Sequence, residues 1–266
     1  DFSLTDGLMG IGIPPTQVRI DDSASDGGVW RFTKRLVRDI DLPFVITGTD
    51  EVNVEGKLRR LSNLLHDNKG PTTLVANYPT GETWEIQGHY VGGAETQFGD
   101  DTKTTYCKWV VQLRCPIPYW TRSTAEQYNV GTGNTDRNFL PNLAELQVSS
   151  SQALGLLEIE NSGDVPAYPT WQFKGPCSTV TITDVATSKS FVYDALIELG
   201  DTVIVDTLKG TVVDKDTGAN LYANLGPSPK LFTVAAGTST IDIVATDADA
   251  NTLISLAYQP RKEVVH

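Results

Sequence analysis

Two pairs of aspartates have the spacing that most resembles a metal site. Asp214 and Asp216, and again Asp247 and Asp249, stand two positions apart in polar segments, as carboxylates do in calcium-binding loops. Neither pair is followed by the glutamate that closes an EF-hand, and Gly218 is misplaced for that loop. Because each pair lies between two predicted strands, we interpret both as acidic hairpin turns and predict no metal site.

The histidines and cysteines form no recognisable catalytic motif. His66, His89 and His266 have no serine or cysteine partner near them in the sequence, and the phosphate-loop, hydrolase-elbow, zinc-protease and dinucleotide patterns are missing. Cys107 and Cys115 belong to one predicted strand, in which they stand too far apart to form a disulfide. We therefore expect buried free thiols, no cofactor and no catalytic residue.

Large aromatic side chains could instead stack on sugar rings. Trp84, Trp120, Trp171 and Tyr222 are the candidates. Trp84 and Trp171 alternate with polar neighbours, which predicts that they belong to a core. Tyr222 lies between turn residues and is the candidate least committed to a core.

The composition argues against two kinds of partner. The chain has 33 Asp and Glu against 21 Lys and Arg, for a formal net charge of −12, whereas nucleic-acid-binding domains display a basic patch. We therefore expect no tight nucleic-acid binding. No apolar run approaches the roughly 20 residues that span a bilayer, and the first residues do not resemble a signal peptide. The sequence predicts a soluble protein without a membrane contact, made in the cytoplasm.

One helix is predicted, between Asn53 and Gly70. Its apolar residues recur at the helical period, and they are Val54, Leu58, Leu61 and Leu65. We expect Asn53 to cap its start and Gly70 to end it. Lys57, Arg59 and Arg60 make the helix locally basic. This basic face is either a solvated surface or a contact with an acidic neighbouring subunit.

The remaining chain is typical of a mainly β protein with two domains. Residues 1–120 predict an N-terminal β-sandwich or split barrel, with strands around Val18 and Ile20 and around Trp30 and Phe32. Pro43 marks the alternating segment 40–46 as an edge strand or a bulged one. Residues 121–147 are polar and aperiodic, which predicts a linker or inter-domain loop. Residues 148–266 contain many short alternating strands, which predict a β-sandwich.

A segment rich in proline, glycine and aromatic residues is predicted to open this second domain. Residues 161–176 read Asn-Ser-Gly-Asp-Val-Pro-Ala-Tyr-Pro-Thr-Trp-Gln-Phe-Lys-Gly-Pro. The prolines exclude a helix, and Trp171 and Phe173 fall on one face of a short strand. The residues that define this domain-entry motif are Asn161, Gly163, Pro166, Pro169, Trp171, Gly175 and Pro176.

The motif and the segments that follow it resemble the C-terminal domain of distal tail proteins of long-tailed phages (siphophages). The further matching segments follow in the same order: Gly200–Thr207, Asn220–Tyr222, Ala236–Ile241 and the final strand ending Tyr258-Gln-Pro260-Arg261. Strand 105–115 followed by Pro118-Tyr-Trp120 is similar to the way in which the N-terminal domain of that family leaves its sheet.

The resemblance implies a structural virion protein of the tail tip or baseplate, not an enzyme. It implies an N-terminal ring-forming β-domain with one helix and a C-terminal galectin-like or carbohydrate-module-like sandwich. Members form hexameric rings that connect the tail tube to the hub or fibre proteins and let DNA pass. The implied partners are therefore further copies of the chain, the major tail tube protein and the tail-associated hub or fibre protein, with the tape-measure protein as a further candidate.

Two other functions stay open from the sequence. A carbohydrate-binding adhesin would use the C-terminal sandwich to recognise host surface glycans. A glycan-active enzyme would need a cleft with two carboxylates, which would assemble from distant residues and cannot be read from spacing.

Overall fold

A computed structural model of the chain describes residues 2–94, 105–131 and 152–265. The described chain is mainly β-structure with one α-helix, which confirms the predicted fold class. It forms two compact units. Unit 1 comprises Asp1–Ser123 together with Lys262–His266, and unit 2 comprises Thr124–Arg261. Within the described residues no helix has the length and apolar character needed to cross a membrane.

Unit 1 is built from strands and one helix. The strands up to Ser123 are β1 (Phe2–Leu4), β2 (Thr16–Asp22), β3 (Gly28–Arg35), β4 (Arg38–Thr47), β5 (Thr72–Asn77), β6 (Thr83–Gly93), β7 (Tyr106–Cys115) and β8 (Trp120–Arg122). The helix is α1 (Glu51–Leu64), followed by a short 3-10 turn at Asp67–Lys69.

Unit 2 contains the remaining strands. They are β9 (Glu126–Gly131), β10 (Gln152–Asn161), β11 (Thr170–Lys174), β12 (Cys177–Asp184), β13 (Lys189–Ile197), β14 (Thr202–Asp206), β15 (Thr211–Asp214), β16 (Gly237–Thr246) and β17 (Leu253–Tyr258). A 3-10 turn covers Tyr222–Asn224. The last strand, β18 (Arg261–Lys262), leads the chain back to unit 1.

One seven-stranded antiparallel sheet organises unit 1. Its order is β1-β4-β7-β6-β8-β18, and β5 pairs with the first half of β6. Strand β7 shows that the sheet has one buried and one exposed face. Its odd-numbered residues from Cys107 to Cys115 are buried, while Lys108, Gln112 and Arg114 face outward. This alternation with a period of two gives a strand one apolar face. The sheet packs that face into a core with α1.

Helix α1 begins at a different cap from the one predicted. The side chain of Asp50 accepts a hydrogen bond of 2.8 Å from the backbone N–H of Asn53. Asn53 is therefore the third residue of the helix and not its cap. Aspartate is as good a capping residue as asparagine, and it stands at the correct distance from Asn53. The helix ends at Leu64, earlier than predicted, and Val54 of the predicted apolar stripe is buried.

The predicted edge strand at residues 40–46 is not a free edge. Strand β4 pairs with β7 along its whole length. On its other side β1 pairs with Phe44 to Ile46, and Met9 forms a bridge with Asp41. The carbonyl of Pro43 accepts from the N–H of Thr5 on this same side. The backbone nitrogen of Pro43, which has no N–H to donate, therefore faces the short strand β1. The hydrogen-bond ladder between β4 and β7 is unaffected.

Unit 2 is a sandwich of two antiparallel sheets. One sheet has the order β10-β16-β12-β13, and the other has the order β15-β14-β11-β17-β9. Buried residues of both sheets form one core, which contains Trp171, Phe173, Phe191 and Tyr193. Sheets with one apolar face each can bury those faces only against one another.

The predicted linker, residues 121–147, is wrong where the structure describes it. Strand β8 extends to Arg122, and β9 pairs with β17 as the edge of a sandwich sheet. Tyr128 stacks on Tyr258 at 6.2 Å between ring centroids. Because β9 is polar on one face and short, its strand pattern was hidden among turn residues. Residues 132–147 of the predicted linker lie outside the described residues.

Candidate assembly interface

Strands β2 and β3 form a hairpin of their own in unit 1. They pair from Thr16 opposite Arg35 to Asp22 opposite Gly28, and no other described strand pairs with them. The N–H of Leu36 donates to the carbonyl of Pro15 at 2.8 Å and closes the base. We call residues 16–35 the arm. Both strands of the arm agree with the sequence prediction.

One face of the arm is apolar and exposed. Val18, Ile20 and Trp30 have exposed fractions of 53%, 60% and 62%. Ile20 and Trp30 stand opposite each other in the register. The indole N–H of Trp30 donates to the hydroxyl of Thr33 at 2.9 Å, which places Trp30 on this face. Each of these side chains would gain about 1.5–3 kcal/mol from full burial.

The other face of the arm carries charged side chains together with Val29 and Phe32, which stand opposite Asp21 and Arg19. The carboxylate of Asp21 accepts from Arg19 at 3.2 Å and from Arg31 at 2.6 Å. Exposed ion pairs of this kind contribute little to stability. A two-stranded hairpin by itself is marginally stable in water. The arm therefore has the properties of an element that is completed by a binding partner.

In the sequence, β2 and β3 do not differ from strands that become buried. Val18 and Ile20 alternate with charged residues as the core residues of β7 do. Alternation reveals that a strand has two unlike faces but not what covers them. The sequence therefore favours the basic helix, and not the arm, as the contact with a neighbouring subunit.

Of the basic residues of α1, Arg59 and Arg60 are exposed and Lys57 is half-buried, and the three have different neighbours. The ammonium of Lys57 donates to the carbonyl of Thr47 at 2.5 Å. Arg59 forms an ion pair of 2.7 Å with Glu55, one turn away. Arg60 is exposed and lines a shallow groove with Val52 and Gly56. Lys57 lines the same groove as Arg60, whereas the guanidinium of Arg59 pairs with Glu55.

The domain-entry motif lies inside unit 2, where it holds the sandwich together. Asn161, at the end of β10, is buried, and its amide donates to the carbonyls of Val165, Val234 and Ala235 at 3.1–3.3 Å. Its side-chain oxygen accepts from the N–H of Gly163 at 3.0 Å. The side chain of one asparagine therefore ties together the buried carbonyls of Val165 and Val234 and the carbonyl of the exposed Ala235, and a buried carbonyl left without a donor would be costly.

The glycines of the motif allow close contact with neighbouring backbone. A Cβ atom on Gly163 would come within 2.4 Å of the carbonyl of Arg261, and one on Gly175 within 2.3 Å of that of Glu198. Only glycine fits such positions.

The proline carbonyls of the motif act as acceptors. Those of Pro166, Pro169 and Pro176 accept from the side chains of Arg261, Thr207 and Thr252 respectively. These contacts of the motif all support the packing of unit 2.

The aspartate pairs form turns, as predicted. The carboxylate of Asp214 accepts from the hydroxyl and the N–H of Thr217, both at 2.7 Å, and this lowers the pKa of Asp214. Asp249 accepts from the N–H of Asn251 at 2.7 Å. Among the described residues, no three His, Cys, Asp or Glu side chains come together as a metal site.

The aromatic and cysteine predictions are confirmed. Trp84 and Trp171 are buried, as is Trp120, so none of them offers a sugar-stacking surface. Tyr222 is 45% exposed. Cys107, Cys115 and Cys177 are free and buried. Burial raises the pKa of Cys115 to about 11, as it does for Cys177, which keeps both thiols protonated near neutral pH.

The histidines are dispersed. His66 follows α1 and accepts a hydrogen bond from the N–H of Asn68, while His89 lies on the outward face of β6. His266 lies outside the described residues.

Comparison with solved structures identifies the fold. The Dit protein of phage SPP1, described as a paradigm of the hub adsorption apparatus in phages that infect Gram-positive bacteria, matches with a TM-score of 0.71 and 13% identity. The match covers 98% of this chain and 93% of that one. The chain has the fold of phage SPP1 Dit. This confirms, at the level of the fold, the resemblance to distal tail proteins.

A second match comes from the phage P2 baseplate in its activated conformation with calcium. A chain of that assembly matches with a TM-score of 0.53 and 10% identity, over 99% of this chain and 92% of that chain. No family model matches the sequence, and no curated protein matches it either. The likeness to these two structures is therefore one of fold, at 13% and 10% sequence identity.

Proposed function

We propose that this chain is a distal tail protein that forms a hexameric ring at the tip of a phage tail. The ring joins the tail tube to the hub or fibre proteins and lets the genome pass through its lumen. The protein is made in the host cytoplasm and is a structural part of the virion, with no turnover and no cofactor. The SPP1 Dit fold over both units supports this proposal.

The exposed arm is the observation that best supports assembly into a ring. A ring of identical subunits needs a heterologous contact, in which a projecting element of one subunit binds a different surface of the next. The arm projects an apolar face from unit 1, and β-strands with unsatisfied edges readily pair with another chain. A second copy of the chain is the partner that a symmetric tail-tip assembly supplies. The tail tube protein and the hub protein would then bind the two faces of the ring.

Removal of the apolar face of the arm tests this function. We expect the full-length protein to form hexamers in mass photometry and rings in negative-stain images as its concentration rises. Ile20→Ser with Trp30→Ala should raise the midpoint concentration of assembly at least tenfold, because both side chains become buried only in the ring. Leu199→Ser with Tyr222→Ala is the matched control, since Leu199 and Tyr222 are exposed apolar residues of unit 2.

The control variant should assemble like the unchanged protein, and both variants should keep its melting temperature. A full-length protein that stays monomeric at high concentration, without rings on tube ends, would contradict the proposed function. Equal assembly by the arm variant and the unchanged protein would show that another surface closes the ring.

A further inference from the structure

The last residues of the described chain belong to unit 1, far from the rest of that unit in sequence. We call Lys262–Val265 the return segment. Val265 is buried in the core with Ile40 and Trp84. The ammonium of Lys262 lies 4.2 Å from the centroid of the Trp84 ring, a distance at which a cation is attracted to an aromatic face. The return segment is therefore part of the fold of unit 1.

Glu263 of the return segment binds the base of the arm. Its two carboxylate oxygens accept from Nε and Nη2 of Arg35, at 2.7 and 2.9 Å. Arg35 is the last residue of β3. The remaining nitrogen of its guanidinium, Nη1, donates to the hydroxyl of Thr16, the first residue of β2. One arginine therefore joins both strands of the arm to one carboxylate.

The backbone carbonyl of Glu263 also binds a buried cation, the guanidinium of Arg38. Arg38 begins β4 and is 1% exposed. Its Nη1 donates to the carbonyl of Gly10 at 3.2 Å, and its Nη2 donates to the carbonyl of Glu263 at 2.5 Å. Burial lowers the pKa of Arg38, while Cys115 and Glu263 act in the opposite direction. A buried charge is tolerated only where nearby groups compensate it.

These contacts matter because the arm is held only at one end. No other described strand pairs with β2 or β3, so the direction of the arm is set by the residues at its base. A bidentate pair between a guanidinium and a carboxylate fixes direction as well as distance. An arm held in its binding direction loses less conformational freedom when it binds.

We propose that Glu263 is a positioning residue that holds the arm in the direction required for assembly. Its effect on assembly rests on the proposed function, but its effect on the arm does not. The return segment follows unit 2 in the chain, so the arm reaches its working geometry only when stretches of sequence from both sides of unit 2 have come together in unit 1.

Glu263→Gln in the full-length protein tests this inference. The variant keeps the size of the side chain but removes the charge that binds Arg35. We expect hydrogen exchange of the arm, and of the Leu36 amide at its base, to become roughly tenfold faster, because a hydrogen-bonded charge pair is lost. The midpoint concentration of ring assembly should rise by a similar factor.

Asp39→Asn is the matched control. Asp39 forms a bidentate pair with Arg114 at 2.8 and 2.9 Å, and it lies on the exposed face of β4, opposite to the face of Arg38. The control should leave exchange in the arm unchanged. Should Glu263→Gln prevent folding, Arg35→Lys serves instead, because it keeps the cation and the contact between Arg38 and Glu263 but loses the bidentate geometry.

The two proposals fail in different ways. Faster exchange of the arm in a protein that never forms rings would support the positioning role and contradict the proposed function. Rings that form normally, together with arm exchange in Glu263→Gln or Arg35→Lys equal to that of the control, would overturn the positioning role alone.

Discussion

Trp171 stands at the centre of the unit 2 core. It is fully buried on β11, which lies between β14 and β17 in the middle of its sheet. The edge of its ring meets Phe191 of the opposite sheet at 6.4 Å between centroids. The neighbouring inward residue, Phe173, stacks on the same phenylalanine. Trp171 therefore supplies a large part of the aromatic packing between the two sheets.

Trp171→Ala should lower the free energy of unfolding of unit 2 by about 3–5 kcal/mol, because a large buried ring leaves a cavity. Urea denaturation followed by circular dichroism measures the change. Tyr222→Ala is the control for loss of an aromatic ring, and we expect it to cost less than about 1 kcal/mol, since Tyr222 is exposed. A loss below about 1 kcal/mol in Trp171→Ala would mean that the sandwich core is packed differently.

The motif residues show how far single residues can be interpreted from sequence. The turn and strand around Trp171 were predicted from local chemistry, and the burial of Trp171 followed from alternation. The role of Asn161 was not predictable in the same way. Two of the carbonyls that it satisfies, those of Val234 and Ala235, lie more than 70 residues away in sequence, and no spacing rule connects them.

At the scale of elements, the structure reverses the expected roles of two strands. The segment 40–46 was expected to present a free edge, and instead β1 and Met9 occupy that side of β4. The hairpin of β2 and β3 was predicted correctly as a pair of strands, but its exposure was not. The hydrophobic pattern of a strand shows that it has one apolar and one polar face. Whether the apolar face is buried depends on elements that lie elsewhere in the chain, so only the tertiary structure decides it.

Helix α1 remains a candidate for a second contact in the ring. We expect Arg59→Glu with Arg60→Glu to raise the midpoint concentration of assembly several-fold at low salt. Opposite charges at an exposed interface attract weakly, and added salt screens them, so the effect should shrink as salt is added. Mass photometry at two ionic strengths measures both. Lys189→Glu with Lys215→Glu is the control, because it changes the net charge equally at exposed positions of unit 2.

At the scale of the whole chain, two units are made from three stretches of sequence. The chain forms unit 1, crosses to unit 2 at Ser123 and returns at Lys262. The sequence predicts a single boundary between the two domains, because the return segment is too short to show a periodic pattern. A fragment that ends near residue 147 therefore lacks Glu263 and Val265. Domain fragments of this protein should carry the return segment if unit 1 is to keep its core and the base of its arm.

Charge is distributed unevenly between the two units, and this bears on the proposed passage of DNA through a ring. Unit 2 carries 16 acidic against 7 basic residues, and the chain as a whole has a net charge of −12. Duplex DNA is held nonspecifically by lysine and arginine side chains that displace counterions from its phosphates. A ring through which a genome passes should not retain it. The acidic balance is consistent with that requirement.

We therefore expect no measurable binding of duplex DNA by the full-length protein at physiological salt, in fluorescence anisotropy with a short labelled duplex. Electrostatic binding weakens steeply as salt is added, so a second titration at low salt is the more demanding test. The variant Arg59→Glu with Arg60→Glu is the control, because the exposed basic face of α1 is where weak binding at low salt would arise. A micromolar affinity that falls steeply with salt and persists in this variant would reveal another basic surface, and the ring would then hold DNA instead of letting it pass.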